Sequence, residues 1–273
     1  MVANKYVGED LQDHPMTGLS FEVQDGLKTL DDLLRQDPAA TDSAMKEYAE
    51  SQSGPSAIGG VVSYALLSLQ DHLPSSLLPQ AFKLTNEHPL MPAQSYFGAE
   101  AGLLPGNYFT IAVYILKLLL RGSVHIRSTD ALEPVKLDPG YLRHPLDVEV
   151  LTRHMIYILT IVSQEPLASL LKPRGRRNAS APIDNIIDSM KEYIKKTTLS
   201  SWHPTPACPM LTAELGGVVN ERLVVYGTRN LRVVGASVFP LTTRANHMAI
   251  VCAVAERAAD LIKADFALRE RDE

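Results

Sequence analysis

The chain has 273 residues, with 26 Lys+Arg against 31 Asp+Glu for a formal charge of −5, and a hydrophobic fraction of 45%. That length can bury a sizeable core, while a mildly acidic chain whose most basic run is Arg174-Gly-Arg-Arg177 lacks the clustered cations of a nucleic-acid binder. Two cysteines, Cys208 and Cys252, stand far apart without paired spacing, so neither a disulfide framework nor a metal knot is indicated.

The residues up to Asp13 carry Lys5, Glu9, Asp10 and Asp13 and no apolar run, unlike a secretory signal. The most apolar stretch, Tyr108 to Leu120, is interrupted by Lys117 and falls short of the ~20 residues of a bilayer crossing. The expectation is a soluble, cytoplasmic protein with neither membrane nor nucleic acid as partner.

Residues 17 to 23 alternate loosely, as a half-buried strand does. Charge and helix formers follow from Leu27 to Glu50, where Leu27, Leu30, Leu33 and Leu34 mark one helix face and Asp37-Pro38 ends it. Ser51 to Gly60 reads as a loop; its Gly59-Gly60 pair is weak evidence of phosphate binding, since no G-x-G-x-x-G stands anywhere in the chain. From Asp71 to Gly106 five prolines favour short turns and irregular connections. Phe109 to Leu120 is expected to be buried, as strand or helix. Ser123 to Ser128 reads as a strand with Val124 and Ile126 inward and His125 on the other side.

Asp147 to Leu171 is a long helical candidate whose spacing holds until Pro166, with His154 as a packing histidine. Lys172 to Ala181 reads as a basic surface loop. Ile183, Ile186, Ile187, Met190 and Ile194 mark an amphipathic helix, acidic at its start and ending in Lys195 and Lys196. Leu223 to Tyr226 and Leu231 to Val234 flank Gly227-Thr-Arg-Asn230 as a hairpin or two adjacent strand ends. Asn246 to Leu268 is a final helix with Val251, Val254, Ala258, Leu261 and Ile262 on one side.

Two polar segments stand out. In Trp202-His-Pro-Thr-Pro-Ala-Cys208, prolines stiffen a loop after a helix, so His203 is either a surface-loop residue or an imidazole pre-positioned for general-base chemistry. In Thr242-Thr-Arg-Ala-Asn-His247, Asn246 serves equally well as the N-cap of the last helix.

The run Trp202 to Met210, then Gly217 to Pro240 containing Val233-Val-Gly-Ala-Ser-Val-Phe-Pro240, then Asn246 and Ala255-Glu-Arg-Ala-Ala-Asp-Leu-Ile262, resembles the C-terminal signature of glucose-methanol-choline oxidoreductases, flavoenzymes that oxidise alcohols and sugars. Val7-Gly-Glu-Asp-Leu-Gln-Asp-His-Pro15, Arg121 to Ser128 and Asp138 to Pro145 are similar to further segments of that family in the same order. The resemblance implies an α/β (α+β) fold. It comprises a remnant of a cofactor-domain segment over 1–16, a substrate-binding domain over 17–200 with a mixed or antiparallel sheet and covering helices, and a catalytic loop with a C-terminal strand-helix remnant of the cofactor domain over 201–273.

It also implies a flavin adenine dinucleotide (FAD) cofactor and a small alcohol substrate. His203 would take the hydroxyl proton while hydride leaves for the flavin, Asn246 would hydrogen-bond the same oxygen, Gly235 and Ala236 would lie at the flavin, and His247, one place past the matching position, is a possible neighbour. No metal is implied.

Three departures accompany the resemblance. Pro206 and Pro209 restrict the loop where the family carries glycine. Gly235 stands where the family strand has Asp. The Rossmann-type unit that holds the dinucleotide has no counterpart, so an N-terminal FAD-binding half is the expected partner and Leu231 to Val234 is expected to be an orphan strand with unpaired backbone and exposed apolar surface. A non-redox binding module, a cyclase reusing the pocket, or an inactive truncated product are the rival readings.

Overall fold

The computed structural model describes residues 4–68, 85–94, 104–177, 187–244 and 246–272. The chain forms two compact units that interleave along the sequence: unit 1 comprises residues 1–14, 116–144 and 200–273, and unit 2 residues 15–115 and 145–199. Residues 116–144, which fall inside the 17–200 stretch, thus cluster with unit 1.

Unit 2 is an antiparallel sheet covered by helices. Its strands β1 (Pro15–Glu22), β2 (Ser63–Ser68), β3 (Thr85–Met91) and β4 (Tyr108–Tyr114) lie in the order β2-β3-β4-β1, with a two-residue strand, β7 (Leu199–Ser200), at the β1 edge. β1 pairs with β4 from Met16↔Tyr114 to Glu22↔Tyr108, placing the fully buried Leu19 opposite Ile111. Expected to be half-buried, β1 is instead buried along its whole length. It lies inside the sheet, and its polar side chains are satisfied: Ser20 shares a 2.7 Å hydrogen bond with Thr110, and Glu22 takes Lys172 and Arg176.

Two helices supply the apolar cover. α3 (Pro145–Val162) buries Val150, Leu151, Met155 and Ile158, and α5 (Ile187–Thr197) buries Met190, Tyr193 and Ile194, the i, i+3, i+4 stripe of a core-facing helix. Tyr193 donates its hydroxyl to the Gly18 carbonyl at 2.8 Å. His154 is indeed a packing histidine, fully buried, its Nδ1 3.2 Å from His88 Nε2.

Several elements differ from expectation. Leu27 to Glu50 is two helices, α1 (Asp31–Leu34) and α2 (Pro38–Ser51). Asp37-Pro38 starts the second rather than ending the first, because Asp37 caps it by accepting from the Ala40 N–H at 2.8 Å and proline suits the first helical turn. Asp147 to Leu171 divides at Pro166 into α3 and α4 (Leu167–Leu170). Pro89 and Pro92 were expected in irregular connections, yet Pro89 sits within β3. Pro74, Pro79, Ile183, Asp184 and Ile186 lie outside the described residues.

Unit 1 has less regular structure. Strands β5 (Ser123–His125) and β6 (Lys136–Asp138) pair antiparallel; β5 ends at His125, so Ile126 is 79% exposed rather than inward. Residues 8–12 run between two extended segments, exchanging backbone hydrogen bonds with Gly122 and Val124 on one side and with Thr205 and Ala207 on the other. Gly122 is required there, since a Cβ would stand 2.2 Å from the Asp138 carbonyl oxygen.

A second core gathers Val218, Val219, Leu223, Val225, Val238 and Phe239 against Ala258 of α6 (Met248–Asp272). Asp265 of α6 takes both Arg222 and Arg232. The Leu231–Val234 segment is not orphaned: Leu231 accepts from Val225 N–H at 2.9 Å and Val233 donates to Leu223 at 3.2 Å. Its apolar surface is exposed as expected, at Leu231 and Val234. Among the described residues no helix is long and apolar enough to cross a membrane.

Candidate active site

All the chemistry singled out in the sequence converges in unit 1. His203 follows Trp202, whose backbone is left-handed at φ 59°, and precedes Pro204. The prolines are only part of what holds this loop. Thr205 pairs with Gln12 through reciprocal backbone hydrogen bonds of 2.8 and 3.4 Å, and Cys208 N–H donates to Ser237 at 2.9 Å. The His203 loop is thereby clamped between the N-terminal strand and the turn at 236–238.

The N-terminal strand delivers two groups to the same place. Asp13, buried, accepts from the His203 backbone N–H at 2.9 Å through Oδ1, and from the Ser200 and Tyr141 hydroxyls, each at 2.5 Å, through Oδ2. His14, fully buried, sets its Nδ1 3.0 Å from Nδ1 of His203. Ser201 Oγ lies 3.1 Å from the same His203 nitrogen and donates to the His14 carbonyl at 2.9 Å.

His247, at the entrance to α6, completes a cluster. Its ring centroid is 4.8 Å from that of His203 and 5.0 Å from that of His14, which are themselves 5.1 Å apart. Thr243 Oγ1 lies 2.7 Å from its Nδ1 and Thr242 Oγ1 3.1 Å from its Nε2. His247 is buried and turned into the cluster, whereas Asn246 is exposed and hydrogen-bonds the His203 imidazole through its side chain.

Burial sets the protonation of all three rings. It depresses His14 to about 3, helped by repulsion from His247 and His203 and opposed by hydrogen bonds to backbone at Thr243 and Leu116. Burial is also the leading cause that lowers His203, with Asp13 and Asn246 opposing, and His247, with His203 adding and Asp13 opposing. Each imidazole is therefore neutral near pH 7 and carries a lone pair on one nitrogen.

Gly235 has φ 129°, a region that side-chain-bearing residues rarely adopt, and opens the turn at Ala236–Val238; no atom lies within 4 Å of where its Cβ would be. The absence of an Asp here is thus a backbone requirement: an Asp would find space but a strained conformation. His203, Asn246 and His247 come together as a group. His14, Asp13, Tyr141 and Thr242 join it without having been singled out, although His14 and Asp13 stand in the run Val7 to Pro15.

Comparison with known proteins places the chain among relatives. A family profile described as GMC oxidoreductase matches residues 120–255. The chain is 31% identical over 320 aligned positions to the dehydrogenase mpl7 of Monascus purpureus, covering 99% of this chain and 50% of that protein. It is 28% identical to the GMC oxidoreductase family protein Mala s 12 of Malassezia sympodialis, over 94% of this chain and 42% of that one. Among solved structures, a formate oxidase variant of Aspergillus oryzae superposes with a TM-score of 0.87 at 21% identity, over 97% of this chain and 48% of the other. A fungal aryl-alcohol oxidase does so with a TM-score of 0.75 at 21% identity, over 97% and 49%. The chain spans about half the length of the curated relatives it matches.

Proposed function

Because this chain belongs to the glucose-methanol-choline oxidoreductase family through its C-terminal portion, we propose that it forms the substrate-facing half of a flavin-dependent oxidoreductase acting on a CH–OH group. In this reading His203 is the base and Asn246 its hydrogen-bonding neighbour. The observation that carries it is the fixation of one neutral imidazole from several sides: Asp13 holds its backbone N–H, His14 and Ser201 engage Nδ1, and Asn246 bonds the ring.

The chain's residues fit the ring end of a flavin. The open space at Gly235 lets a planar group approach the backbone of Gly235 and Ala236, and His203 is half-exposed rather than sealed. They do not fit the dinucleotide end, for which the sequence has no glycine-rich phosphate turn, so a nucleotide-binding half of the kind a full-length relative carries is the proposed partner. A bound flavin supplies the hydride acceptor. The contribution of this chain is the proton: His203, neutral at pH 7, accepts it from the substrate hydroxyl, and the Asn246 side chain orients the same oxygen. Asp13 and His14 keep the imidazole in place from behind, and Asp13 favours the charged form that results.

The test is FAD titration of the full chain, alone and with the N-terminal half of the Monascus relative, followed by alcohol-dependent bleaching of the flavin. Uptake with the added half, and bleaching slowed roughly 100-fold or more by His203→Ala, is the expected result; no flavin uptake in either arrangement removes the redox assignment. Pro206 and Pro209, which restrict the His203 loop, favour a second reading, a non-redox pocket that retains ligand binding. His203→Ala then leaves ligand affinity unchanged.

A further inference from the structure

The three histidines present more than a base and its supports. One ring nitrogen from each lies within 4.8 Å of one from each of the others, with His14 and His247 buried and His203 half-buried. Four-coordinate zinc–imidazole bonds of ~2.0–2.1 Å put ligand nitrogens about 3.3 Å apart, close to the 3.0 Å already separating Nδ1 of His14 from Nδ1 of His203. We propose that His14, His203 and His247 form a binding site for one divalent transition-metal ion of the zinc or copper class, with the fourth position open to water or a small ligand on the side of Asn246.

Three features of the site argue for this ion class. Imidazole suits zinc and copper better than magnesium or calcium, which take oxygen ligands. The three rings converge with their centroids 4.8 to 5.1 Å apart, so three imidazoles can reach one ion. Each buried ring also has an outer partner of the kind that orients a ligating histidine: Thr243 Oγ1 2.7 Å from Nδ1 of His247, and the backbone of Thr243 and Leu116 accepting from the His14 ring. Three histidines plus an open site is an arrangement zinc enzymes use. The site does not depend on the flavin reading. An ion bound there occupies the lone pair that His203 uses as base, so it inhibits the reaction proposed above.

The full chain, freed of metal with a chelator at about pH 7.5, is titrated with Co²⁺ and followed by its visible d–d bands, then with Zn²⁺ by calorimetry. Expected are one ion per chain, the band intensity of four-coordinate cobalt, and displacement by Zn²⁺. His14→Gln and His247→Gln each weaken Zn²⁺ binding by roughly 100-fold or more, while His125→Gln, at a surface histidine paired with Glu9, leaves it unchanged. Circular dichroism checks that each variant folds; should His14→Gln fail, His247→Gln decides alone. The proposal is overturned by absence of the bands, by Zn²⁺ binding that survives the folded cluster variants, or by an intense thiolate-to-cobalt band, which places the ion on Cys208 or Cys252. Loss of Zn²⁺ binding with unchanged flavin uptake separates this site from the flavin reading.

Discussion

Asp13 accepts hydrogen bonds from Tyr141, Ser200 and the backbone of His203, groups brought from two parts of the chain. Its carboxylate is acceptor-only, and each donor it serves is at least partly shielded from water. Replacing it by Ala strands three donors at once, so Asp13→Ala should destabilise unit 1 by about 3 kcal/mol or more. Asp13→Asn, of the same shape but with one accepting oxygen, should recover part of the loss. Differential scanning calorimetry of the three proteins reads the effect; equal melts for all three would refute the role. His203 and Asn246 were legible in the sequence through flanking prolines and family signature. Asp13 and His14 were not, because they meet His203 across 190 and 189 residues and no spacing rule spans such a distance.

At the level of elements, the helices and strands that bury a regular apolar stripe were readable. α5 shows Met190, Tyr193 and Ile194 on its inner face, and α6 shows Ala258 and Leu261. What escaped periodicity was set by polar partners. β1 carries Thr17, Ser20 and Glu22, which alone suggest an exposed face; their burial depends on Thr197, Thr110, Lys172 and Arg176, all distant in sequence. Glu22 gives this a measurable form. The hydrogen bond from Arg176, against the opposing effect of burial, holds its carboxyl down at about 2 from an ordinary 4.5. A depressed carboxylate stabilises the folded state fully above its unfolded value and loses that contribution as pH falls toward its folded one. Unit 2 should therefore weaken between about pH 4.5 and about 2 by circular dichroism, and Glu22→Gln should flatten the fall over that window. An identical pH profile for the variant would show that the pair contributes nothing.

On the scale of the molecule, residues 8–12 are a central extended segment of unit 1, bonded on one side to 122–124 and on the other to 205–207. A chain lacking residues 1–14 loses that segment together with Asp13 and His14, while every strand of the β2-β3-β4-β1 sheet remains. The calorimetric transition of unit 1 should disappear and the circular dichroism transition of the sheet and helices should persist; retention of both would mean that unit 1 stands without its N-terminal strand. The family profile over 120–255 contains His203, Asn246 and His247 but neither Asp13 nor His14, so a fragment trimmed to those bounds keeps the signature and discards half of the histidines' support. The same separation governs how the protein is born. His14 emerges from the ribosome 189 residues ahead of His203, a delay of roughly 10–40 s at ordinary elongation rates. No nascent intermediate holds the assembled cluster before then, and the early segment keeps one edge open until residues 205–207 emerge to pair with it.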